Sequence, residues 1–139
     1  MVDVHSLAWI APSAQLFGAV AIADGASVWH NAVLRAECQE IRIGRLTNVQ
    51  DFAMIHVAYD RPTVVGAFCS ITHHATLHGC VVEDECLIGI NATVVDGTSL
   101  LILDFTGFRA GDKLTFTIDV DEVQQFDASE TNLTLINQG

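Results

Sequence analysis

Along the first two thirds of the chain a bulky aliphatic residue returns every six positions. The series runs Ile10, Leu16, Ile22, Val28 and Leu34, resumes at Ile43, Val49 and Ile55, then at Val65, Ile71 and Leu77, and ends with Val82, Ile88 and Val94. Small residues often follow the aliphatic, as in Ile22-Ala23, Ile43-Gly44, Val65-Gly66 and Ile88-Gly89. A period of six fits neither an amphipathic helix nor an alternating strand. It fits a parallel β-helix, in which one coil cannot bury its apolar face alone and stacks on the next. Chance spacing in an ordinary β-rich domain would not keep fourteen positions largely in phase.

The breaks in phase carry information as well. The step from Leu34 to Ile43 is nine residues and that from Ile55 to Val65 is ten. Extra residues in a solenoid become loops on one face, often the working face. The second insertion, residues 58–63, begins two positions after His56. From Leu77 to Val82 the step is one residue short of six, which leaves the register near His78 open.

After Gly97 the six-residue phase stops. Leu101, Leu103 and Phe105 alternate with Ile102, Asp104 and Thr106, and residues 114–120 alternate cleanly, with Leu114, Phe116, Ile118 and Val120 on one side. The intervening residues 107–112 are turn-like, so a β-hairpin is expected. A third short strand is expected at residues 132–136, and no helix of useful length is expected between 98 and 139. The chain therefore divides into a β-helix over residues 1–97 and an atypical β-rich extension over 98–139. The fold class is all-β; the hairpin's apolar face is open to three readings, a cap for the terminal coil, which a solenoid needs, a contact with a neighbouring subunit, or strand exchange between chains.

The candidate chemistry lies inside the repeat. His73 and His78 stand five residues apart, and His56 lies upstream of them. Three imidazoles can hold a divalent metal and leave one position open for water, the layout of a catalytic rather than a structural zinc site. His74, next to His73, is open to three readings: an exposed side chain, a proton relay or an alternative ligand. A solvated surface role is favoured, although an imidazole of ordinary pKa would suit proton transfer.

Several segments together resemble the γ-class carbonic anhydrase family. They are Val28-Trp-His-Asn-Ala-Val-Leu-Arg35, Ile41-Arg-Ile-Gly44, Thr47-Asn-Val-Gln-Asp51, Ile55-His56 and the His73/His78 block, and the match covers about residues 8–97. The resemblance implies a left-handed β-helix that assembles as a homotrimer with metal sites at the subunit interfaces. By that analogy His56 and His78 come from one subunit and His73 from its neighbour. The activity implied is reversible hydration of carbon dioxide to bicarbonate by metal-bound hydroxide. Gln50 would orient that hydroxide and Asp51 would tie down the surrounding network. Zn2+ is the default ion, and Fe2+ or Co2+ would accept the same ligands. Arg35 matches an arginine that pairs with an acidic residue across the interface. Where the family reads Arg-Gly-Asp, this chain reads Arg35-Ala36-Glu37, with the carboxylate one methylene further out. The acidic loop that relays protons in the best-characterised members has no clear counterpart, and the family's C-terminal helix gives way to the alternating segment.

Two other functions share these features. A hexapeptide-repeat acyltransferase has the same solenoid but needs no three histidines in metal register. A catalytically silent metal-binding scaffold has the site without turnover. Composition narrows the partners. The net charge is −11 with Lys+Arg 6 against Asp+Glu 17, which speaks against nucleic acid, whose phosphates demand basic surface, and against anionic membranes. It also leaves few cations to meet the phosphates of a coenzyme A thioester. No stretch approaches the length of a membrane span, and residues 1–5 carry no basic residue and no apolar core, so no secretory signal is read. Cys38, Cys69, Cys80 and Cys86 form no CxxC pair; reduced thiols in a cytoplasmic protein are the simplest expectation.

Overall fold

Each six-residue step carries the chain along one face and round one corner, and three steps return it to the face where it began. The computed structural model describes residues 1–100; the alternating segment, with its expected hairpin over 101–120 and strand at 132–136, lies outside the described residues. Every strand pairing is parallel, and no helix occurs among the described residues. The parallel β-helix of hexapeptide repeats expected from the sequence is the architecture observed.

The aliphatic series becomes three stacked columns. Ile10, Val28, Val49, Ile71 and Ile88 stand in register on the first face. Leu16, Leu34, Ile55, Leu77 and Val94 do so on the second, and Ile22, Ile43, Val65 and Val82 on the third. From Val28 onward each of these side chains is buried, and Val94 is the most accessible of them at 8%. Burying an aliphatic of this size stabilises the fold by about 1.5–3 kcal/mol, so the columns are the main reason the coils stay stacked. The first face forms a five-stranded sheet by itself. The second and third are joined into a nine-stranded sheet because Gln15–Ile22 and Val33–Ile43 run continuously round the corner between them.

Two of the three corners keep a six-residue step in every described coil. Between the first and second faces the turns place Asn31, Phe52, His74 and Asn91 at φ of 57 to 60°, each backbone N–H bonding to the coil before it, as in Phe52 to His30 and His74 to Asp51. Left-handed backbone costs an L-residue about 1–2 kcal/mol, and stacking offsets part of that cost: the Phe52 and His74 rings lie parallel with centroids 4.9 Å apart. The corner between the third and first faces does the same with Leu46, Phe68 and Glu85, where the Arg45 guanidinium covers the Phe68 ring.

All variation in coil length falls at the remaining corner, between the second and third faces. Gly18 pairs with Ala36 but Ala19 pairs with Glu40, so Glu37, Cys38 and Gln39 bulge out. One coil later His56 pairs with Arg35 and Thr63 with Ile41, leaving residues 57–62 as the second loop. The shortened step after Leu77 belongs to the same corner, which leaves His78 in register with His56. The two loops pack on each other through Cys38 Sγ to the Ala58 carbonyl and Gln39 Nε2 to the Tyr59 carbonyl. At the far end Ser99–Leu100 still pairs in parallel on Val81–Val82.

Candidate metal centre

Residues that flank the buried aliphatics along a strand point outward. Leu34, Ile55 and Leu77 point inward, so the next residues, Arg35, His56 and His78, share one outer column on three successive coils. The His56 and His78 rings lie 5.0 Å apart, centroid to centroid. Glu37, in the first bulge, sets its Oε1 2.8 Å from His56 Nε2. That hydrogen bond, helped by the nearby Arg35 guanidinium, holds the Glu37 carboxyl below the usual carboxylate range. Arg35 Nη2 lies 3.7 Å from the same oxygen, so the Arg35–Glu37 pairing forms within one chain. Both side chains are solvated, and such a pair contributes little to stability. His78 Nδ1 meets Asp96 Oδ1 from the coil above.

His73 stands elsewhere. It follows Thr72 in the regular corner between the first and second faces, at the opposite end of Thr76–His78 from His78. Its Nδ1 lies 3.3 Å from Asp51 Oδ2, directly one coil below. Gln50 precedes Asp51, and its amide donates to Asn48 Oδ1 at 2.9 Å, while Asn48 donates in turn to Ser70 Oγ. The candidate site residues therefore form two groups at two corners: Arg35, Glu37, His56 and His78 at the irregular one, Gln50, Asp51 and His73 at the regular one. Among the described residues no three His, Cys, Asp or Glu side chains converge to hold a metal ion. The His74 ring stacks on Phe52.

The donor chemistry suits a divalent metal, with two imidazoles at one corner and one at the other. Each of the three candidate imidazoles has one ring nitrogen against a carboxylate from an adjacent coil, the arrangement that fixes tautomer and orientation in histidine ligands. His56 and His78 supply two such rings side by side, and His73 supplies a third on another edge. The cysteines take no part: Cys69, Cys80 and Cys86 are buried and Cys38 is exposed, and burial raises the thiols of Cys69 and Cys80.

Two supporting residues carry no motif in the sequence. Thr63 replaces an aliphatic in the column of Val20 and Ile41 and is fully buried. Its hydroxyl donates to the His56 carbonyl and accepts from the Gly79 N–H at 2.9 Å, which ties the residue after His78 to the backbone of His56. Asp96 is the other. A break in the aliphatic column was the available signal for Thr63, and the coil length was the available signal for Asp96.

The comparisons with known proteins agree with the fold. The chain is 44% identical over 100 residues to "Gamma carbonic anhydrase 1, mitochondrial" of Arabidopsis thaliana, covering 68% of this chain and 36% of that protein. It is 45% identical over 85 residues to "Probable carbonic anhydrase" of Methanocaldococcus jannaschii, covering 61% of this chain and 54% of the relative. Among solved structures, a hexapeptide transferase family protein from Anaplasma phagocytophilum superposes with a TM-score of 0.55 at 30% identity, over 70% of this chain and 72% of the other. No family model matches the chain. The chain belongs to the γ-carbonic anhydrase and hexapeptide-repeat family. It spans about a third to a half of the length of these two curated relatives, at 36% and 54%.

Proposed function

We propose that this chain forms the β-helical part of a metal-dependent enzyme that reversibly hydrates carbon dioxide to bicarbonate, with metal sites shared between neighbouring copies of a homotrimer. The observation that carries the reading is the division of the histidines: two stacked rings at one corner, a third at another, each with its own carboxylate. In a cyclic assembly the interface is head-to-tail, so one edge of each copy meets the other edge of the next. Such an interface brings His56 and His78 of one copy to His73 of another.

Zn2+ held by these imidazoles would supply hydroxide at neutral pH, because it lowers the pKa of bound water to about 7; Fe2+ or Co2+ suits the same donors. The protein's own contribution is positional. Neutral imidazoles bring no negative charge to the ion. Asp51 and Glu37 hold the rings of His73 and His56, and Arg35 sits one coil from His56. Gln50, whose amide N–H donates to Asn48, retains its side-chain carbonyl to accept a hydrogen bond from a reacting hydroxyl.

The hexapeptide transferase neighbour favours a second reading, an acyltransferase. Lys+Arg 6 against Asp+Glu 17 makes a poor match for an acyl carrier's phosphates. Metal analysis on the purified protein, followed on the same sample by stopped-flow carbon dioxide hydration, separates the readings. About one metal per chain with hydration activity supports the proposal. Metal without hydration points to a scaffold, and a metal-free protein that acetylates an acceptor overturns it.

A further inference from the structure

We infer that Asp96 is a positioning residue for His78, setting which ring nitrogen His78 presents to the site. The inference rests on the reading of His78 as a metal ligand. Asp96 lies 18 residues beyond His78, in the turn that closes the next coil at the irregular corner, and its Oδ1 meets His78 Nδ1. A carboxylate only accepts hydrogen bonds, so the contact places the proton of neutral His78 on Nδ1 and leaves the Nε2 lone pair free. A free histidine side chain has no such restriction.

The backbone around this contact is built to hold it. The Gly97 N–H bonds to the Gly79 carbonyl at 3.0 Å, which pins the turn carrying Asp96 to the residue after His78. Gly79 in turn is held from below by Thr63 Oγ1. Gly79 has φ +55°, and a Cβ there would stand 2.7 Å from Ala58 Cβ and 3.0 Å from Asp96 Oδ1. The missing side chain at Gly79 is the space into which the Asp96 carboxylate reaches. Three coils thus meet at one point: Thr63 below, Gly79 between, Asp96 above.

The test is the tautomer of His78 in the metal-free full chain, read by 15N–1H correlation through the ring, with zinc affinity by chelator competition on the same samples. The wild type is expected to show His78 with its proton on Nδ1. Asp96→Ala should move the proton population toward Nε2 and weaken zinc binding about 10- to 100-fold, and Asp96→Glu should restore part of both. Asp96→Leu, which keeps roughly the size of the side chain but offers no acceptor, carries the measurement if Asp96→Ala fails to fold. A merely structural role would lower stability without moving the tautomer. An unchanged His78 tautomer in either variant, or a changed tautomer with unchanged zinc affinity, overturns the inference. A wild type that binds no zinc overturns the metal reading instead, and the tautomer still decides whether Asp96 orients the ring.

Discussion

The corner that carries Asp51 and His73 and the corner that carries His56 and His78 are made by the same repeat, yet they are built on different rules. At the first, every aliphatic-to-aliphatic step is six residues, from Val28–Leu34 to Ile88–Val94, and the left-handed residues stack in one line. At the second, the coils differ in length, and the bulge at Glu37, the loop over residues 57–62 and the tight turn at Gly79 follow one another. A regular corner can present a side chain but offers few ways to surround it. At the irregular corner the bulge brings Glu37 back to His56, and the tight turn at Gly79 leaves room for Asp96 to reach His78. At the regular corner Asp51 meets His73 straight along the stack. Regularity therefore supplies the rigid frame and irregularity the enclosure.

The sharpest way to break this comparison is to disable each corner in turn. His78→Ala and His73→Ala are each expected to abolish stoichiometric metal, although the two residues share no site within one chain. Co-refolding the two variants should return metal to about a quarter of the sites, because in a head-to-tail ring that share of interfaces joins two intact edges. Metal analysis of the mixture decides; no recovery would mean that the corners do not meet across an interface.

The next largest effect concerns the glycines. Gly79→Ala puts a Cβ into Ala58 at a left-handed backbone position, and a loss of about 1–3 kcal/mol is expected from chemical denaturation. Gly89→Ala meets nothing within 4 Å and should stay within about 0.5 kcal/mol of the wild type. Equal effects would show that the two corners tolerate side chains alike.

Thr63→Val tests what holds the irregular corner together. The side chain keeps its volume in the column of Val20 and Ile41 but leaves the buried Gly79 N–H without its hydroxyl partner. The expected cost is about 1–3 kcal/mol, with weakened metal binding alongside. Full stability would mean that the His56 carbonyl, 3.3 Å from that N–H, suffices alone. The smallest effect belongs to the regular corner. His74→Asn keeps a residue that tolerates left-handed backbone but removes the ring from Phe52, so about 0.5–1 kcal/mol of stability should be lost with metal content unchanged. Lost metal would give His74 a part in the site that its stacked position does not suggest.

Much of this was legible in the chain. The aliphatic series named the columns, and its two insertions named the irregular corner, because any added residue must leave the stack. His56, His73 and His78 stood out by spacing within that frame. The short step after Leu77 left the register of His78 open until the structure placed the missing residue beyond it, in the turn at Gly79.

What the sequence by itself determined is the apolar periodicity, and with it the coil, since only stacking buries an aliphatic that recurs every six residues. What only the tertiary structure decided is which carboxylate serves which histidine. Glu37 meets His56 at 19 residues, Asp96 meets His78 at 18, and Asp51 underlies His73 at 22. Those separations differ because each includes a different share of the inserted residues. A side-chain contact between coils depends on where the chain bulges in space, and a one-dimensional period carries no record of that.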